Sequence, residues 1–101
     1  MTTLTQYITL ENVNKAASLL RDVVLETPLQ KNQFLSEKYE ANIAFKREDL
    51  QEVRSYKIRG AYHKISSLTQ EVLSQGVVCA SAGNHAQGVA YSCRTKKIKG
   101  V

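Results

Sequence analysis

Two segments of this chain gather residue types that do chemistry. The first is Lys46-Arg47-Glu48-Asp49-Leu50, followed closely by Ser55-Tyr56-Lys57-Ile58-Arg59-Gly60-Ala61. Ser55 is a good helix N-cap, which puts Lys57 in the first turn of the helix it opens. A cation there opposes the positive end of the helix dipole, and Arg54 and Arg59 stand close to it in sequence. Both effects disfavour the charged amine, and an uncharged amine is what a lysine needs to condense with an aldehyde. Spacing alone also describes a solvated lysine on an exposed turn.

The second segment is Ser81-Ala82-Gly83-Asn84-His85-Ala86-Gln87-Gly88, directly after the apolar run Val77-Val78-Cys79-Ala80. The run reads as a strand buried on both faces, and Ala86, Val89, Ala90 and Cys93 recur at helical spacing behind it. The carboxyl end of a strand that feeds a helix is where open α/β sheets bind ligands, and small residues there let backbone N–H groups face an anion. The turn suits a carboxylate or a phosphate. It is not a nucleotide phosphate loop, because Gly83 and Gly88 are followed neither by Lys and Ser or Thr nor by the dinucleotide glycine pattern. Taken alone, the same residues also fit a plain turn closed by a capping Asn.

The elements that must hold these segments follow one another closely, without repeat or linker. Thr9 caps a helix with apolar positions Leu10, Val13, Ala17, Leu20 and Val24 and an i,i+4 pair, Glu11 and Lys15, which Pro28 is expected to stop. Thr27 is extended ahead of the proline, and a short helix follows around Phe34, Leu35 and Tyr39. Ile43 and Phe45 alternate with polar or small neighbours as a brief strand, and a polar loop runs from Glu48 to Arg54. Beyond Ser55, residues Ile58, Ala61, Tyr62, Ile65 and Leu68 line one helix face. Thr69 recaps a short helix ending at Gly76, and Ile98 to Val101 reads as another strand. Strands alternating with helices indicate the α/β class, a partial parallel sheet with flanking helices.

Composition excludes other classes. The 101 residues are 43% hydrophobic and 23% charged, with one Pro and five Gly, so the chain is neither disordered nor fibrous. No apolar run of membrane-spanning length occurs, and Met1 to Tyr7 has no basic start or apolar stretch, which points to a cytoplasmic protein without a membrane partner. Cys79 and Cys93 fit two reduced thiols near the core, and no clustered His or paired Cys suggests a metal. Charge divides unevenly: Met1 to Glu52 holds six Lys or Arg against eight Asp or Glu, and Val53 to Val101 holds eight against one. The basic half suits anionic ligands, although Arg94, Lys96, Lys97 and Lys99 also fit a solvated helix end and strand edge. No aromatic interleaves Lys96, Lys97 and Lys99, and no recognition motif accompanies them, so nucleic acid is not the expected partner.

With both segments in view, the chain resembles the fold-type II family of pyridoxal phosphate enzymes, on its threonine dehydratase (threonine ammonia-lyase) branch. The likeness runs through Thr27-Pro28-Leu29, Lys46 to Leu50, Ser55 to Ala61 and Ser81 to Ala90. It implies that Lys57 is the catalytic lysine that carries pyridoxal 5'-phosphate, with Tyr56 beside the ring and Asn84 on its phenolic oxygen. Ser81, Ala82, Gly83, Asn84 and His85 would hold the carboxylate of a small amino-acid substrate. The implied reaction is dehydration and deamination of L-threonine to 2-oxobutanoate and ammonia, in isoleucine biosynthesis or threonine catabolism. A serine dehydratase or racemase is the neighbouring alternative, and a basic α/β module that binds nucleic acid through its second half is the alternative from another class.

The resemblance also implies what is missing. Tyr56 stands where relatives usually have Phe, and Glu52 where Pro is frequent. The family's glycine-rich phosphate loop and its Ser or Thr near the pyridine nitrogen have no counterpart here. Residues 1–101 are therefore expected to be the amino-terminal part of a larger catalytic domain, without a complete second domain and inactive alone, and a homo-oligomer when full length.

Overall fold

The structure, a computed structural model, describes residues 8–101, so the reading of Met1 to Tyr7 lies outside the described residues. Helix α1 spans Leu10–Leu20. The Thr9 side chain accepts from the Asn12 N–H at 3.1 Å, satisfying one donor of the first turn, and Lys15 pairs with Glu11 at 2.6 Å. The helix stops well before Pro28, because the N–H groups of Val23 and Val24 both turn back to the Leu20 carbonyl. Of its apolar positions only Leu20 is buried, and Leu10 and Val13 are open to solvent.

Strand β1, Leu29–Lys31, pairs antiparallel with β2, Ala44–Lys46, in the register Leu29 to Lys46 and Lys31 to Ala44. Helix α2, Gln33–Lys38, fills the connection, capped by the Asn32 side chain on the Leu35 N–H at 2.8 Å. The strand expected at Ile43 to Lys46 is therefore present, but its partner is β1 rather than a strand reached by crossover. A three-residue strand such as β1 has too few positions to show alternation in the sequence.

Helices α3, Lys57–Ser66, α4, Gln70–Gln75, and α5, Asn84–Lys96, form the rest of the described body. Thr69 caps α4 as expected, and Gly76 ends it at φ 87°, where a Cβ would lie 2.9 Å from the Lys99 carbonyl oxygen. That close approach starts a short parallel bridge between Val77 and Gly100, apart from the β1–β2 sheet. The Val77 N–H donates to Lys99 at 2.9 Å, the Val101 N–H to Val77 at 3.0 Å, and the Cys79 N–H to Val101 at 2.9 Å. The fold class is the α/β arrangement expected, parallel pairing flanked by helices.

One expectation about this strand needs correction. Val77 and Cys79 pack against a core of Ala61, Ile65, Leu73, Val89 and Cys93, but Val78 is 81% exposed. The strand is covered on one face only, since alternation turns Val78 away from the helices. The radius of gyration, 16.5 Å, exceeds the about 13 Å of a self-contained globule of this length. Phe34, Leu29 and Val101 are likewise at least 70% exposed, so much apolar surface stands open. No helix among the described residues is long and apolar enough to cross a membrane.

Candidate functional site

Lys57 is the first residue of α3. Tyr56 already has helical dihedrals, φ −71° and ψ −8°, and acts as N-cap without a side-chain hydrogen bond, so the helix opens one residue later than a Ser55 cap implies. Ser55 is buried instead, and its Oγ accepts from the Lys57 N–H at 3.4 Å. The approach to this turn is strained: Arg54 takes φ 63°, in the left-handed region that side chains disfavour. The Lys57 ammonium lies 5.2 Å from the centroid of the Tyr56 ring, a cation–π contact that draws the amine toward the aromatic neighbour.

Two structures hold the first turn of α3. On one side is α5. A Cβ on Gly88 would stand 2.9 Å from the Lys57 carbonyl oxygen and 3.2 Å from the Ile58 nitrogen, so only glycine lets the two helices meet there. Four residues earlier on α5, and so on the same face, is Asn84. One turn later on that face Ser92, fully buried, donates to the Gly88 carbonyl at 2.7 Å. The face Asn84, Gly88 and Ser92 thus runs along α3 and brings Asn84 to the Lys57 end.

On the other side is a polar cluster that the sequence did not disclose. Glu48 lies in a single turn of 3-10 helix, Glu48–Leu50. Its carboxylate accepts two bonds from Arg59, at 2.9 Å from Nε and 2.7 Å from Nη2, and one from the Thr27 hydroxyl at 2.7 Å. The Gln51 amide reaches it at 3.2 Å. Gln51 is wholly buried and closes a ring with the Leu25 backbone, accepting from its N–H at 2.9 Å and donating to its carbonyl at 2.8 Å. The Arg59 guanidinium beside Glu48 holds its carboxyl well below the usual carboxylate range, at about 2, helped by Thr27 and Gln51 against the opposing effect of burial. The charge of Arg59, placed near Lys57 by the sequence, is thereby met by Glu48. Lys46 donates to the Thr27 carbonyl, tying the same corner to β2.

Tyr56 and Asn84 line one open groove of about 490 Å³ with Ser55, the cations Lys46, Arg47 and Arg54, and the carboxylates Glu48 and Asp49. Lys57 stands beside that groove, through its neighbour Tyr56, rather than on its lining. His85 lines a different cavity of about 240 Å³ with Gly60, Lys64 and Cys79. Ser81, Ala82 and Gly83 form the exposed turn ahead of α5. Gly83, not Asn84, is the N-cap of α5, and no side chain caps the helix. The Gly83 N–H donates to Ser81 Oγ at 3.2 Å.

This donor set fits pyridoxal phosphate. The groove has room for the ring, Lys46, Arg47 and Arg54 on its lining outnumber Glu48 and Asp49 and suit a phosphate ester, the Asn84 carboxamide lies on it with Lys57 next in sequence to the lining Tyr56, and the uncapped N-terminus of α5 offers N–H groups to an anion. Tyr91 and Cys93, farther along α5, are not part of it: burial pushes both their pKa values up.

Comparison with known proteins points the same way. The family model described as pyridoxal-phosphate dependent enzyme matches residues 20–101. The chain is 64% identical over 93 residues to the biosynthetic L-threonine dehydratase of Halalkalibacterium halodurans, covering 92% of this chain and 22% of that protein. Among solved structures, it matches the processed form of threonine deaminase isoform 2 from Solanum lycopersicum with a TM-score of 0.74 at 38% identity, over 92% of this chain and 27% of the other. It matches the serine racemase of Dictyostelium discoideum with a TM-score of 0.84 at 35% identity, over 92% of this chain and 30% of the other. The chain therefore spans about 22% of the length of the curated relative.

Proposed function

The chain belongs to the pyridoxal-phosphate dependent enzyme family, and on that premise we propose that it is the part of a threonine dehydratase that carries the cofactor lysine, Lys57. The observation that supports this reading is the contact of α3 and α5 at Gly88, which gathers Lys57, Tyr56 and Asn84 at one end of two packed helices. When bound, pyridoxal phosphate supplies an electron sink for negative charge at the substrate's α-carbon.

Each residue then has a task. The Lys57 amine would hold the cofactor and, when free, would take the proton from the substrate's α-carbon. The Asn84 carboxamide would hold the ring by a hydrogen bond to its phenolic oxygen, and Tyr56 bounds the groove beside it. The turn from Ser81 to His85 grips the substrate carboxylate through backbone N–H groups at the start of α5, which fixes the Cα–H bond for transfer. Loss of the β-hydroxyl as water, then hydrolysis, gives 2-oxobutanoate and ammonia. The likeness to serine racemase supports a second reading on the same residues, with L-serine as substrate.

The partner is thus a small amino acid rather than nucleic acid. Residues 1–101 serve as the amino-terminal part of a catalytic domain that works in the cytoplasm as a homo-oligomer. The expanded shape and the exposed Val78 support a body completed by further chain.

The decisive test uses the full-length protein that carries this segment. Borohydride trapping of pyridoxal phosphate, followed by peptide mapping, should place the label on Lys57. Lys57→Ala should lose both that label and 2-oxobutanoate formation from threonine. A full equivalent of label on another lysine, with turnover intact, overturns the reading.

A further inference from the structure

We propose that Glu48 is a positioning residue for Lys57: its ion pair with Arg59 fixes the first turn of α3 from the side opposite Gly88 and so sets where the lysine amine stands. The proposal rests on the reading of Lys57 as the cofactor lysine.

Arg59 follows Lys57 by two residues, about 200° around the helix, so what holds Arg59 acts on the far side of the turn from the Lys57 backbone contact with α5. The hold is a two-pronged one, at 2.9 and 2.7 Å, which resists both sliding and rotation of the helix end. Glu48 is itself anchored. Its Oε1 receives the Thr27 hydroxyl at 2.7 Å, and Gln51, which also reaches it, is locked to both polar groups of the Leu25 backbone. Any shift of Glu48 must therefore move the segment that leads into β1.

Geometry is the better account of this cluster. A partly buried pair between a carboxylate 14% exposed and a guanidinium 35% exposed gains little stability over an apolar contact of the same shape. Two chain elements remote in sequence nevertheless converge on one turn, and the residue that opens that turn is Lys57. The backbone strain at Arg54 is stored between the two anchors, Gln51 and Ser55, where only a fixed endpoint can retain it.

The test is again made on the full-length protein, comparing Glu48→Gln, which keeps the shape and loses the charge, with Ile65→Val, which removes one methyl group from the core away from the cluster. The readout is the rate at which pyridoxal phosphate is trapped on Lys57 by borohydride: the amine condenses with the aldehyde, releasing water, and reduction of the carbon–nitrogen double bond leaves a stable secondary amine. Measured where circular dichroism shows each variant folded, Glu48→Gln should slow trapping at Lys57 by about tenfold, as expected of a misplaced reacting group, and Ile65→Val should leave it unchanged. Arg59→Lys keeps the charge and loses the fork, and should give an intermediate rate; it serves in place of Glu48→Gln if that variant does not fold. Wild-type trapping in the folded charge-cluster variants, or an equal loss in Ile65→Val, overturns the proposal. Label that never reaches Lys57 even in the wild type instead sinks the reading of Lys57, so the two failures are distinct.

Discussion

The Lys57 carbonyl oxygen lies so near Gly88 that a Cβ on that glycine would stand 2.9 Å away. Glycine inside a helix weakens it by roughly 1 kcal/mol relative to alanine, so its place in the middle of α5 needs a reason. The reason is distance: with no side chain at 88, the backbone of the first turn of α3 docks directly on α5.

Gly60 is the natural contrast, because it also lies within a helix, α3, and a Cβ there meets nothing within 4 Å. Gly60→Ala should stabilise the chain by about 0.5–1 kcal/mol, through helix propensity and a less disordered unfolded state. Gly88→Ala should instead destabilise by about 1–3 kcal/mol, since backbone atoms rather than a flexible side chain must give way. Thermal unfolding of both variants checks this pair. Equal effects of the same sign would show that the close contact has no energetic consequence.

Glu48 predicts a pH window. Its folded carboxyl is held at about 2 against an ordinary value of 4.5, so the folded state favours the ionised form. A depressed pKa contributes stability that is complete above 4.5 and is lost as pH falls toward about 2. Glu48→Gln cannot titrate. The difference in melting temperature between wild type and this variant should be constant above the window and shrink through it on acidification. A difference that stays the same down to the lower limit would assign the acid sensitivity to other carboxylates.

The local parts of this fold were legible in the sequence, and the long-range ones were not. Thr9 and Thr69 announce their helices because a cap bonds to an N–H three residues ahead, within reach of any reading of neighbours. The turn from Ser81 and the lysine at 57 were legible as residue types in order. The clamp on Lys57 was not, because Glu48 and Arg59 are eleven residues apart and Leu25 and Gln51 twenty-six, with no periodic pattern between them. Val78 misled for a related reason: an apolar run has the same appearance whether one face is covered or both, and only the described neighbours show the open side.

Asn84 supplies a prediction about the ring. It opens α5 without capping it, which leaves the carboxamide available to the groove shared with Tyr56. In the full-length protein, Asn84→Ala should keep the trapped label on Lys57 but weaken the chemical step. Loss of one hydrogen bond to a charged oxygen costs about 1.5–3 kcal/mol, roughly tenfold to a hundredfold in kcat. Unchanged turnover together with an unchanged absorbance of the bound cofactor would remove Asn84 from the site.

The isolated 101-residue chain should form no 2-oxobutanoate from threonine, although it contains Lys57, Asn84 and the turn between Ser81 and His85. Of those residues only Asn84 lines the open groove beside Tyr56, His85 faces a separate cavity, and the residues of the turn are all exposed. Catalysis requires the reacting groups to be held within about 0.5 Å of the productive geometry, which takes packing on every side of the site. Here Val78 and Val101, on the segments bridged in parallel beside that turn, are 81% and 75% exposed, so among the described residues no second layer steadies that face. A lysine and an aldehyde still condense in solution, so slow, salt-sensitive labelling of the chain by pyridoxal phosphate is expected, spread over several of its lysines. The exposed apolar surface should also make the chain self-associate as its concentration rises. Purified chain, assayed for 2-oxobutanoate beside the full-length protein, decides the point: turnover within about tenfold of the intact enzyme would mean that the preorganised site is already complete within these residues.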